Sequence, residues 1–198
     1  IIYIFYYLSS YAVYINKSEE FLRQKADYDE LTGLYNRNRI RFILEHNYAA
    51  AKEGNNPFGV AIMDIDDFKF INDMYGHVVG DAALKSLAQD MQSYFNDNSI
   101  ICRNGGDEFC IILKDCSAEE AAPMIDAFSK ASRSFSAKGV EHNYSISLGY
   151  AEYPANAEKV SDILRYADIA LYEVKLQGKH GALAYRPDFH NSKRTQLG

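Results

Sequence analysis

The chain has 198 residues, of which 24% are charged, 47% hydrophobic and 14% aromatic, with a formal net charge of −6. That length suffices for one domain with a sizeable core, and the acidic balance offers no basic surface for a nucleic acid polymer. Cys102, Cys110 and Cys116 show no paired metal-ligand spacing, and the first two fall in apolar stretches; small core residues in a reduced cytosolic interior are the simpler reading, with redox control as the other.

Residues 1–15 are almost wholly apolar or aromatic, interrupted by Ser9 and Ser10. Crossing a bilayer takes about 20 apolar residues, so this segment reads as the final part of a membrane helix. Its tyrosines followed by Lys17, Arg23 and Lys25 fit an aromatic belt and cytoplasmic positive charge. A buried amphipathic helix is the competing reading; a secretory signal peptide fits less well, because no basic region precedes the run and no clear small-residue cleavage site follows. Residues 16–28 then read as a helical stalk, with Ile15, Leu22 and Ala26 among the apolar positions able to pair across a dimer.

Beyond the stalk, the pattern predicts a helix over 39–51 and a strand from Phe58 that ends in Asp64-Ile65-Asp66. The strand is a near-continuous apolar run, as expected of a buried one, and its carboxylates fall where the chain must turn. Helices follow over 68–75 and 82–95. Two short apolar runs, 99–102 and 109–113, flank Arg103-Asn-Gly-Gly-Asp-Glu108, and Asn-Gly between such runs is a strong hairpin signal. A helix over 118–136, a strand over 142–152, a helix over 159–177 and a strand over 182–185 complete the order.

Gly105 and Gly106 lack a Cβ, so they permit a tight turn and let a phosphate approach the backbone; Asp107 and Glu108 follow at once. An ordinary surface hairpin would also explain this tetrapeptide. With Asp64 beside it, however, Asp107 completes a cluster of hard oxygen ligands of the kind that holds magnesium together with substrate phosphates.

Several further segments join these: Asp29-Glu-Leu-Thr-Gly-Leu-Tyr-Asn-Arg37, Asp64-Ile-Asp-Asp-Phe-Lys69, Asn72-Asp-Met-Tyr-Gly-His77, Gly80-Asp81, Ser147-Leu-Gly149 and Ala167-Asp-Ile-Ala-Leu-Tyr-Glu-Val-Lys175. In order and spacing, over nearly all of residues 27–186, the chain resembles a GGDEF domain, the diguanylate cyclase family. The resemblance implies an α/β (α+β) fold: a central, mostly antiparallel sheet flanked by helices, with a β-α-β-β-α-β core similar to class III nucleotide cyclases and the polymerase palm. It implies condensation of two GTP molecules into cyclic di-GMP and pyrophosphate across a two-fold homodimer, with magnesium as cofactor and manganese acceptable to the same ligands.

By the same similarity, Asp64, Asp107 and Glu108 are acidic contributors to the metal site and Ile65 adds its carbonyl oxygen. Asp107 and Glu108 count as catalytic residues. Asp107 could also accept the hydroxyl proton, although a carboxylate bound to magnesium is a poor base. Lys69, five residues after Asp64, is implied as a transition-state stabiliser; a solvated surface charge is its other reading. Asn72, His77 and Asp81 would line the guanine pocket, with Phe68, Gly105 and Gly106 also contacting substrate. Asp81 could alternatively cap a helix starting at Ala82. Aspartate at that place favours guanine over adenine.

Lys175 and Lys179 would meet the outer phosphates. Here the chain departs from the family pattern, carrying Val174 where alanine is usual and Lys179-His180 where arginine-asparagine is usual. Lysine keeps the charge but loses the planar fork, which predicts weaker or less oriented triphosphate binding. A second departure is at Asn96 and Ser99, which replace the arginine and aspartate of the product-binding R-x-x-D motif, predicting little product inhibition by that route. The resulting expectation is a membrane protein with its catalytic domain, residues 29–187, in the cytoplasm, followed by a tail over 188–198. A catalytically silent GTP-binding signalling module is the alternative.

Overall fold

The computed structural model describes residues 3, 11, 13–15, 25–54, 56–95 and 99–189. The expected membrane segment and stalk fall largely, and the tail and Asn96 partly or wholly, outside those residues. Among the described residues, no helix is long and apolar enough to cross a membrane.

In chain order the elements are α1 (Arg37–Gly54), β1 (Phe58–Ile65), α2 (Phe68–Tyr75), α3 (His77–Tyr94), β2 (Ser99–Gly105), β3 (Glu108–Lys114), α4 (Ala118–Lys130), β4 (Arg133–Ala137), β5 (Val140–Tyr144), β6 (Ile146–Tyr153), α5 (Val160–Leu176) and β7 (Gly181–Ala184). Five strands form one sheet in the order β2-β3-β1-β6-β7, and β4 and β5 form a separate hairpin. All pairings in the large sheet are antiparallel except β6 with β7. The expected mixed architecture and its β-α-β-β-α-β core are therefore present.

β1 is central because it has apolar side chains for both faces. Successive residues of a strand point to opposite sides, so Ala61, Met63 and Ile65 join Leu84, Leu87 and Met91 of α3 and Ile125 of α4. Val60 and Ile62 join Leu44 of α1 and Ile163, Ala167 and Leu171 of α5 on the other face. Cys102 and Cys110, opposite one another on β2 and β3, are buried free thiols in that second layer, as expected of small core residues. Gly149 permits α5 to lie directly on β6. A Cβ there would stand 2.0 Å from the Leu171 backbone nitrogen and 2.3 Å from the Ala167 carbonyl oxygen.

Three boundaries differ from expectation. The helix predicted over 118–136 stops at Lys130, and Arg133–Ala137 becomes a strand with alternating burial. Lys138 and Gly139, both at positive φ, turn it back into β5, as the preferred two-residue hairpin requires. The strand predicted over 142–152 is broken at Ser145, whose carbonyl leaves the ladder to accept the Asp66 N–H at 2.9 Å. Finally, α3 begins at His77 rather than Ala82. Gly76, at φ 86°, ends α2 and starts α3, which puts Asp81 in the second turn and removes the capping role.

Candidate active site

Asp64 is the penultimate residue of β1, a strand paired on both sides, and lies opposite Glu108 of β3 and Ser147 of β6. Its position is thus set by two hydrogen-bonded ladders. Asp107 comes from the other partner: Gly105 pairs with Glu108, leaving Gly106 and Asp107 as the turn, with a bulge between Arg103 and Gly105. Gly105 at φ 130° and Gly106 at φ 56° give this turn a geometry that side chains disfavour. The acidic residue expected just past the hairpin turn is in the turn itself.

The Asp64 and Asp107 carboxyls approach within hydrogen-bonding reach. Burial, opposed by the Lys175 ammonium and reinforced by the Asp107 charge, pushes the Asp64 carboxyl up to about 6. Lys175, in the last turn of α5, donates from Nζ to Asp64 Oδ2 at 2.5 Å. Glu108 faces the same side of the sheet as Asp64, being its direct cross-strand partner, but its Oε1 accepts from Asn104 Nδ2. Among the described residues no three His, Cys, Asp or Glu side chains converge as a ready-made metal cage; the acidic centre is a pair. Two facing carboxyls, one of them the half-buried Asp64, form an all-oxygen donor set whose repulsion a divalent cation would relieve, so the residues fit a hard metal ion.

On the side of α2 and α3, Phe68, Asn72 and Gly80 come together. A Cβ at Gly80 would stand 2.0 Å from Asn72 Oδ1 and 3.2 Å from Phe68 Cζ, so any side chain there would displace the Asn72 amide from its present place. Asn72 Oδ1 is buried with no hydrogen-bond partner, a state that normally requires a missing donor. Asp81 is the next residue along α3, exposed like His77 at its start. Lys69 is exposed in the first turn of α2. Lys179 lies beyond α5, not on it, and donates from Nζ to Asp67 Oδ1 at 2.6 Å; that bond holds its ammonium above the ordinary lysine range.

Two anchoring groups had no role assigned from sequence. Arg103 donates from Nε and Nη2 to the Gly106 carbonyl at 3.0 and 2.6 Å, and from Nη1 to both oxygens of Asp29 at 3.0 and 3.2 Å. Burial alone would raise the Asp29 carboxyl, but hydrogen bonds from Thr32 and Arg103 outweigh it and hold the group below the usual carboxylate range. The second is Asp66, buried and bonded to Ser145, Ser147 and His180. An arginine just before a glycine turn was the available signal for the first; the second was visible as a carboxylate at the strand end, but nothing local named its partners. Away from the carboxylates, Ser99 lines a cleft of about 880 Å³ with Tyr28, Arg39, Phe42 and Lys114.

The model for the diguanylate cyclase GGDEF domain matches residues 26–181. The chain is 31% identical over 175 residues to the cyclic di-GMP phosphodiesterase PdeR of Escherichia coli, covering 88% of this chain and 26% of that protein. It is 34% identical over 169 residues to a diguanylate cyclase of Vibrio cholerae, covering 84% of this chain and 52% of that one. Among solved structures, it is similar to the coiled coil and GGDEF domain of DgcB from Caulobacter crescentus in complex with c-di-GMP, with a TM-score of 0.82, 26% identity and coverage of 89% and 94% of the two chains. The chain spans between about a fifth and a half of the length of the curated relatives it matches. The glycine turn carrying Asp107, the Asp64 strand end and the match over residues 26–181 together establish that the chain belongs to the diguanylate cyclase GGDEF-domain family.

Proposed function

We propose that the chain is a diguanylate cyclase that condenses two GTP molecules into cyclic di-GMP and pyrophosphate. The observation that carries this reading is the facing pair Asp64 and Asp107, with Lys175 bonded to Asp64 and Lys179 to Asp67 at the start of the next helix. Asp64, Asp107 and the Ile65 carbonyl would hold magnesium or manganese, with Glu108 released from Asn104 as a further ligand. Bound there, the cation supplies charge compensation for phosphoryl transfer.

The chain's own groups do the rest. The exposed Asp81 carboxylate offers acceptors to the N–H groups of guanine and the Asn72 amide complements O6 and N3, with His77 and Phe68 lining the same pocket. Lys69 contributes positive charge as charge develops at the α-phosphate. Lys175 and Lys179 exchange Asp64 and Asp67 for the outer phosphates of GTP. Gly105 and Gly106 leave room for a phosphate at the turn. Each domain binds one GTP, so attack of each 3′-hydroxyl on the other nucleotide's α-phosphate requires two chains facing across a two-fold axis. The apolar segment over 1–15, followed by Lys17, Arg23 and Lys25, supports attachment to a membrane with residues 29–187 on the cytoplasmic side.

Incubation with GTP and magnesium, with products resolved by mass beside an Asp107→Ala control, tests the reading. Cyclic di-GMP is expected from the native chain. The variant is expected to lose several kcal/mol of transition-state stabilisation, at least about a hundred- to thousandfold in rate. Equal product from both would overturn the assignment of Asp107, and no product from a dimeric native chain would overturn the cyclase.

A further inference from the structure

Asp66 stands two residues beyond Asp64, and its carboxylate is taken up by hydrogen bonds from Ser145, Ser147 and His180. It is 7% exposed. Its Oδ2 accepts from Ser145 Oγ at 2.6 Å and from the His180 N–H at 3.1 Å, its Oδ1 accepts from Ser147 Oγ at 2.6 Å, and its own N–H donates to the Ser145 carbonyl at 2.9 Å. One side chain therefore joins the end of β1, the break before β6 and the turn between α5 and β7.

That turn has an unusual backbone. Gly178, Lys179 and His180 are all at positive φ, 110°, 66° and 50°; glycine and, less readily, histidine accept the left-handed region, but lysine is not among the types that favour it. Such a conformation persists only when its surroundings hold it. One hold is the end of α5, where the Lys179 N–H donates to the Val174 carbonyl at 3.0 Å. The other is Asp66, through His180. Between these two points Lys179 projects back to Asp67, the residue after Asp66.

We propose that Asp66 is a positioning residue for Lys179: by accepting the His180 N–H, its buried carboxylate fixes the left-handed turn and thereby sets where the lysine ammonium stands at the phosphate rim. The inference rests on the reading of Lys179 as a triphosphate contact. Because Asp66 acts on the turn and not on the base pocket, it governs recognition of the triphosphate and leaves the guanosine end untouched.

Binding of GTP and of GMP to the whole chain, measured by calorimetry for the native protein, Lys179→Ala, Asp66→Asn and the double variant, tests this without reference to turnover. Asparagine keeps the size of Asp66 and one acceptor oxygen. Each single change is expected to weaken GTP about tenfold while GMP binding stays within about twofold, and the double variant to be no weaker than Lys179→Ala. Adding His180→Gly to Asp66→Asn is expected to recover part of the GTP affinity, because glycine adopts the turn unaided. A GMP loss equal to the GTP loss, or a further tenfold loss in the double variant, would mean a general structural role and overturn the inference. If Lys179→Ala leaves the ratio of GTP to GMP affinity unchanged, the triphosphate reading fails and the inference with it. If only Asp66→Asn leaves it unchanged, the reading stands and the inference alone falls. Should Asp66→Asn not fold, Ser145→Ala, which removes one hydroxyl donor from Asp66, is judged by the same ratio.

Discussion

Asp64 and Asp107 meet at one point, yet the backbone delivers them there in different ways. Asp64 sits in a strand laddered on both sides, over apolar layers on both faces, and the loop after it is tied down by Asp66. Asp107 rides on a glycine turn at the tip of a hairpin, and the bonds that brace this turn come from Arg103, which is itself fixed by Asp29. The difference is one of redundancy. Many buried contacts set the first carboxylate, so small losses there are shared; a few polar bonds set the second, so one substitution can displace it.

Breaking the strand side should therefore take a change that reaches the backbone. Gly149→Ala drives a methyl group to 2.0 Å from the Leu171 nitrogen, which forces α5, with Lys175, away from β6. A loss of about 3 kcal/mol or more is expected, read from urea unfolding. An unchanged midpoint would show that the helix and strand can part without cost.

On the hairpin side one side chain should suffice. Arg103→Ala leaves the Asp29 carboxylate and the Gly106 carbonyl without their guanidinium donors, at a cost of about 2 kcal/mol by thermal or urea unfolding. Cyclisation should fall more than stability alone explains, because the Asp107 turn is loosened. A variant that turns over GTP at the native rate would refute the bracing role.

Asp64→Asn sharpens the comparison with an effect of opposite sign. With its folded value at about 6 and an ordinary value near 3.9, the native carboxyl favours protonation in the fold. Its stability contribution is full below about pH 4 and is lost as pH rises to about 6. At pH 7 without metal, Asp64→Asn should thus be more stable than the native chain, by on the order of 2 kcal/mol, and the gain should vanish near pH 4. Equal melting temperatures across that range would show that the acid pair is not under strain.

Asp29 should give the smallest effect and the mirror-image pH response. Its carboxyl is depressed in the fold, so its contribution is present above the ordinary value near 3.9 and fades as pH falls through the lower folded one. The melting difference between the native chain and Asp29→Asn should be constant from neutral pH to about 5 and shrink below about 4. A difference that grows on acidification would reverse the sign assigned to the Arg103 pair.

How far such features could be read in advance depended on the distance between partners. Asp64 and Asp107 were legible because each ends an apolar run or follows a glycine turn, signals contained within a few residues. The Phe68, Asn72 and Gly80 contact was legible only as separate motif positions, since Gly76 brings two helices together where one had been expected to start later. The Arg103 bond to Asp29 spans 74 residues, and the Asp66 bonds span 79, 81 and 114. No local pattern encodes those. The β4–β5 hairpin did leave a local signal, Ser134 and Ser136 alternating with Arg133, Phe135 and Ala137 up to Lys138-Gly139, but the preceding helix had been expected to continue into this alternation.

The most direct measurement of the shared cation site is manganese binding, followed by electron paramagnetic resonance in the presence of a non-reactive GTP analogue, for the native chain, Asp64→Asn and Asp107→Asn. Bound manganese in the native protein and a loss of at least about tenfold in affinity in each variant is the expected result, since each removes one carboxylate ligand. Native-like binding in either variant would contradict the claim that the two carboxylates, held by such different means, form a single metal site.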